Sequence, residues 1–183
     1  MPLGGVTWAS VNIDDYQTFA AKPDMYTKFY QWNRSTAWAA TGDYISGWNS
    51  IPDTSSAWTA NPCPTGWRLP TKAEYEALHN AGNTWATANT RGNAVSGRFY
   101  GTNHANCWLP DNMEGAVFLP AVGSRRSYDF GSLSSQGTSG SYWSSTQYSA
   151  TDGYSLYFYS TNSSPASNIS KAYGFPVRCV QDR

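Results

Sequence analysis

The chain has 183 residues, enough for one domain with a substantial core, and its twelve basic and twelve acidic side chains balance to zero net charge. That balance gives no basic footprint for nucleic acid and no charge-driven attraction to a membrane, while no stretch reaches the apolar length of a membrane-spanning helix. Aromatic residues make up 16%, with nine Trp and thirteen Tyr, so large planar groups, many with a polar end that needs a partner, are available to the core.

The opening stretch MPLGGVTWAS has neither the basic start nor the apolar run of a signal peptide. Residues 6–11, VTWASV, alternate bulky and small side chains as a first strand would, placed to pair with another terminal strand. Next comes a long segment punctuated by Pro and Gly that holds Trp32, Trp38, Trp48 and Trp58. Aromatic anchoring of irregular chain to a core is the reading here, with a ligand cage as the alternative.

LPTKAEYEALHNAG predicts a helix over 72–81. Thr71 is its N-cap, Glu74 completes a capping box, Tyr75 and Leu78 share one face, and Gly82 stops it. SGRFYG and GAVFLPAVG then read as short strands around the turn-rich TNHANCWLPDNME. From 127 to 170, fifteen of forty-four residues are Ser and six are Tyr. So many rings argue against the disorder that Ser alone would suggest. Alternation predicts a strand, with Tyr154, Leu156 and Phe158 on one face and Ser155, Tyr157 and Tyr159 on the other. In YGFPVRCV, Phe175, Val177 and Cys179 fall on a buried face.

Catalytic and metal-binding patterns are sparse. His104 and Cys107 stand three apart without a second ligand pair, His79 lies alone on the helix, and neither His accompanies a nucleophile elbow. Glu74 is taken as a cap and Glu76 as solvent-facing, so a glycosidase-type pair would need Asp14, Asp15, Asp111 or Glu114 to converge. No cofactor is expected. For Cys63, Cys107 and Cys179, one bridge with a free thiol and three reduced thiols both fit the sequence. A Tyr/Ser/Gly/Asn palette is the one that antibody combining loops use, since Tyr gives stiff amphipathic contact area and the small residues give adaptable hydrogen bonds. The plain alternative is a sheet with polar turns whose outward Tyr satisfy strand propensity.

Four phrases punctuate this composition in order: NPCPTGWRLPTKAEYEALHNAG (61–82), GAVFLPAVGSR (115–125), GSYWSST (140–146) and GFPVRCV (174–180). Together they resemble the Fibrobacter succinogenes major paralogous domain, a group of bacterial domains with a C-type-lectin-like fold. More narrowly, the chain resembles the variable proteins of diversity-generating retroelements, in which a reverse transcriptase copies a template repeat with errors at adenines. Scrambling the first two bases of AAC-type Asn codons yields Asn, Ser, Tyr, Asp, Gly, Thr, Ala, Ile, Phe and Arg among its outcomes, but never Trp, Lys, Gln, Glu or Met. Between and at the edges of the fixed phrases, the residues at 128–130, 139, 141, 149, 152, 155, 157, 159, 162, 163, 166, 168–170 and 173 match that set.

What the resemblance implies is an α+β, C-type-lectin-like single domain over 1–183 with short antiparallel strands, one helix, paired terminal strands and long aromatic-rich loops. Its variable region would cover 126–173, on a non-enzymatic protein that binds a protein or cell-surface ligand at a cell surface, in secreted form or on a virion. The expected ligand-facing residues are Tyr128, Asp129, Phe130, Ser139, Ser141, Ser149, Asp152, Ser155, Tyr157, Tyr159, Asn168, Ser170 and Tyr173, with Asn162, Ser163, Ala166 and Ile169 beside them. Trp143, Leu156, Phe158, Phe175 and Val177 would form the constant scaffold. A Cys63–Cys179 bridge would resemble the terminal staple of C-type lectins. Calcium-mediated sugar binding is not implied, because Trp32-Asn33-Arg34 and Trp48-Asn49-Ser50 lack the acid of the lectin Trp-Asn-Asp strand. Nor is the oxidase chemistry of formylglycine-generating enzymes, which needs reactive cysteines near the chain end where only Cys179 occurs. A glycan-processing enzyme or a structural surface module on the same fold is the alternative.

Overall fold

The computed structural model describes residues 2–182, an α+β arrangement of one helix and several small antiparallel sheets. Strands β1 (Pro2–Leu3), β2 (Val6–Asn12), β3 (Trp67–Arg68) and β12 (Arg178–Gln181) form one sheet in the order β1-β2-β12-β3. The two ends of the chain are thus joined, with Arg178 opposite Asn12 and Val180 opposite Trp8. Cys63 and Cys179 are disulfide-bonded across this region, while Cys107 is free and buried. The predicted helix is α1 (Lys72–Asn80), with the Thr71–Glu74 capping box formed. Arg68 grips the same carboxylate through both terminal nitrogens, at 2.8 and 2.7 Å. Burial by itself pushes the Glu74 carboxyl up, but the Arg68 guanidinium and the Thr71 amide together hold it below the usual carboxylate range.

A second sheet orders β4 (Asn83–Ala86), β5 (Gly97–Tyr100) and β6 (Val117–Pro120), and a short hairpin pairs β7 (Ser124–Arg125) with β8 (Leu133–Ser134). The third main sheet is built from β9 (Ser139–Gln147), β10 (Asp152–Tyr159) and β11 (Asn162–Ser170), with β10 in the middle. Its two faces bury different things. Tyr142, Leu156 and Phe158 pack with Trp8, Tyr75, Leu78 and Tyr100, so this face closes over α1 and β5. Trp143 instead joins Tyr30, Trp32, Phe175 and Val177. Gly140 shows why the GSYWSST phrase opens on glycine: a Cβ there would lie 2.3 Å from the Phe158 ring.

Residues 14–62 are mostly irregular, and their tryptophans are anchors, while Tyr16 and Tyr44 stay exposed. Trp32 is fully buried between Trp58 and Trp143, and its indole N–H donates to the Ser55 carbonyl at 3.1 Å. Trp38 and Trp48 pack together and donate to Gln31 and to the Ser127 carbonyl.

Irregular backbone leaves carbonyls to be satisfied, and buried cations do this. Arg125, with no exposed surface, donates to the carbonyls of Ala39, Thr41, Gly42 and Gly131. Arg178 donates to Asn12, Ala9 and Phe118, and burial pushes its guanidinium down to about 10. Lys171 reaches the Ser55 and Ala150 carbonyls and the Gln147 amide oxygen, over the Trp32 ring. Its ammonium is held below the usual lysine range by burial, partly offset by Asp53 and Asp152.

Candidate binding surface

The site rests on strand register. Tyr157 on β10 stands opposite Ser141 on β9 and Ser164 on β11, Tyr159 stands opposite Ser139 and Asn162, and Ser155 stands opposite Trp143 and Ser167. Opposed residues share a face, so hydroxyl and phenol groups from three strands lie together on the side that ends at Trp143, although Ser141 and Ser155 are themselves buried there. The Tyr157 and Tyr159 rings lie side by side, 5.7 Å between centroids, and both remain more than a third exposed. Leu156 and Phe158, between and beside them in sequence, are fully buried on the other face.

Beside these tyrosines the surface sinks into a groove of about 360 Å³ lined by Ser139, Ser141, Ser155, Tyr157, Asn168 and Tyr173 of the expected set. Ser124 and Ser135 close it from the β7–β8 hairpin, Ser167 and Ile169 add the β11 side, and Phe175 forms part of its lining. Phe175 is itself 4% exposed and packs on Trp143 with centroids 4.5 Å apart, while Trp143 donates its indole N–H to the Tyr30 carbonyl at 2.8 Å. The lining is therefore stiff where it is aromatic and hydroxyl-rich elsewhere.

The remaining expected residues are placed elsewhere. Ser149, Asp152 and Ser170 gather at the end of β10 away from Tyr159, where the Ser149 hydroxyl donates to Asp152 at 3.2 Å and Asp152 stands opposite Ser170. Tyr128, Asp129 and Phe130 occupy a single 3-10 turn, Asp129–Gly131, that packs on residues 43–48 through the Ile45 amide and the Trp48 ring. Asp129 and Phe130 both adopt left-handed backbone, at φ 55° and 52°, and the Phe130 side chain is 71% exposed. These three do not line the groove.

Ser163 is a correction to the sequence reading. It pairs opposite Phe158 and turns inward, within hydrogen-bond distance of Tyr100 Oη at 2.7 Å and His79 Nδ1 at 3.2 Å. Its face follows from register with β10, which composition does not fix. His79 is a packed, hydrogen-bonded side chain, and burial, then the Arg98 charge, lowers its imidazole below the usual histidine range. Ser124, Ser135 and Ser167 were missed because they lie outside the expected set, and only the fold brings the β7–β8 hairpin against β9.

Among the described residues, no group of three or more His, Cys, Asp or Glu is positioned to hold a metal ion. His104 instead meets the Thr84 hydroxyl at 2.6 Å, and the Cys107 thiol donates to the His104 carbonyl. No helix among the described residues is long and apolar enough to cross a membrane.

No curated protein and no solved structure matches the chain. The family model described as the Fibrobacter succinogenes major domain matches residues 9–181, a span that runs from β2 through β12 and holds the groove entire. The chain belongs to the Fibrobacter succinogenes major domain family.

Proposed function

We propose that this is a non-enzymatic binding protein on a C-type-lectin-like fold, whose Tyr- and Ser-rich face is a diversified contact surface for a protein or cell-surface ligand. The observation that carries the reading is the shared face of Ser139, Ser141, Ser155, Tyr157 and Tyr159, with buried Trp143 at its end and Leu156 and Phe158 buried behind it. A ladder of backbone hydrogen bonds holds such a sheet whatever its outward side chains are, so they can change while the backbone stays. Affinity would come from a few ring anchors, with hydroxyls supplying adaptable polar contacts. Display would be at a bacterial surface, in secreted form or on a virion, with variation introduced by a retroelement.

Replacing Tyr157 and Tyr159 together with Ala should abolish capture of the cognate ligand and leave the melting temperature nearly unchanged. Collapse of the fold in that variant would assign the rings to the core and overturn the reading. At the DNA level, a near-identical repeat beside a reverse-transcriptase gene, differing where the repeat has adenine, is expected over the codons of these residues.

A further inference from the structure

We infer that the groove takes an aromatic side chain carried on an uncharged, extended segment of a protein partner, whose backbone pairs with the outer edge of β11. This deepens the binding reading above and rests on it. Three observations select that chemistry.

The first is charge. No Lys, Arg, Asp, Glu or His lines the groove. A charged ligand group seated there would give up its water without meeting an opposite charge, which disfavours it.

Size and lining come second. A groove of about 360 Å³ sits near the lower end of ligand cavities, roughly 300–1,000 Å³, which suits one ring-sized group better than a run of sugars. Phe175, Tyr173 and Tyr157 supply ring faces and edges for it, with Tyr173 already 5.9 Å from Phe175. The hydroxyls of Ser124, Ser139, Ser141 and Ser167 hold no side-chain hydrogen bond among the described residues, so they can meet the polar end of a Tyr or Trp.

Third, the groove adjoins an open sheet edge. β11 is the terminal strand of its sheet, and Ser167, Asn168 and Ile169 belong both to that edge and to the groove lining. Pro165 lacks an N–H and lies where the register with β10 shifts, and the Ser170 carbonyl already accepts from the Tyr173 amide at 3.0 Å, so strand addition is confined to 166–169. Over that stretch alternate residues turn N–H and C=O outward, the complement of a peptide backbone and not of a sugar ring.

The test titrates the full chain with the capped pentapeptide acetyl-Thr-Thr-Tyr-Thr-Thr-amide, read by amide chemical shifts. Shifts are expected at Ser141, Ser155, Tyr157, Asn168 and Tyr173. Lys in place of the central Tyr should weaken binding about tenfold, and N-methylation of alternate peptide amides should weaken it several-fold, as loss of one or two hydrogen bonds would. Ser139→Tyr, which narrows its mouth, should remove the shifts at an unchanged melting temperature, and Ser141→Trp, which fills the groove from a buried position, should remove them at some cost in melting temperature.

Several results overturn the inference: no groove shifts with the Tyr peptide, equal binding of the Lys peptide, or matching shifts from methyl β-glucoside. Concentration-dependent broadening confined to β11 without peptide would assign the edge to a second copy of the chain and likewise overturn it. If these occur while the Tyr157/Tyr159 replacement still abolishes capture, the binding face stands and only its ligand class falls. If capture survives that replacement, the binding face itself falls.

Discussion

Between β2 and β3 the indole N–H groups of Trp32, Trp38 and Trp48 each find an acceptor inside the protein, whereas on β10 the rings of Tyr157 and Tyr159 stand beside one another with about a third of their surface open to water. Both regions are rich in aromatic and small polar residues. Their backbones differ. Residues 14–62 lack a ladder for most of their length, so their conformation depends on side chains: rings packed into the core and buried cations on carbonyls. Strands β9, β10 and β11 carry their own ladder, so their outward side chains are free of that duty. The lesson is that a surface can tolerate change only where something other than that surface fixes the chain.

The sharpest way to break this contrast is Trp32→Ala, which removes a fully buried ring that contacts Trp58 and Trp143. It should destabilise the protein by about 3–5 kcal/mol in urea unfolding. A loss below about 1 kcal/mol would show that the irregular segment does not depend on its rings. Replacing Cys63 and Cys179 together with Ser opens a link across 116 residues and should cost about 2–5 kcal/mol, again by equilibrium unfolding.

Acid tests the helix end of the same framework. Glu74 titrates below the usual carboxylate range in the folded protein, so the stability it contributes is complete above its unfolded value and is lost as pH falls through the lowered one. Glu74→Gln should cost about 1 kcal/mol at neutral pH and flatten the acid limb of the stability profile. An acid limb identical to the parent's would show that the carboxylate is not coupled to folding. The smallest effect is reserved for the outward face: the Tyr157/Tyr159 double replacement should change unfolding free energy by no more than about 1 kcal/mol, against several for a single Trp32.

Much of the framework was legible because its signals are local. Thr71, Glu74 and Gly82 mark both ends of α1, and the alternation of Leu156 and Phe158 with Tyr157 and Tyr159 is read directly from neighbours in sequence. Arg125, Arg178 and Lys171 were not recognised as interior, because a pattern of hydrophobicity counts a charge as exposed and cannot foresee the carbonyls that will surround it. β11, with Pro165 in a run of small polar residues, carries no strand signal of its own and exists because β10 pairs with it. The thirteen expected site residues were legible by type only; which six line one groove depended on the packing of the β7–β8 hairpin and Phe175 against the sheet.

By itself, then, the amino-acid sequence determined which residues alternate, where the helix is capped and which side chains are too large and apolar to stay in water, since each of these is set within a few positions along the chain. Tertiary structure alone decided that Ser163 turns toward Tyr100 while Ser141 faces the groove, that Cys63 rather than Cys107 meets Cys179, and that Ser124 and Ser135 share a groove with Tyr157. Register, bridging and groove walls are relations between segments far apart in the chain, and such relations come into being only when those segments pack.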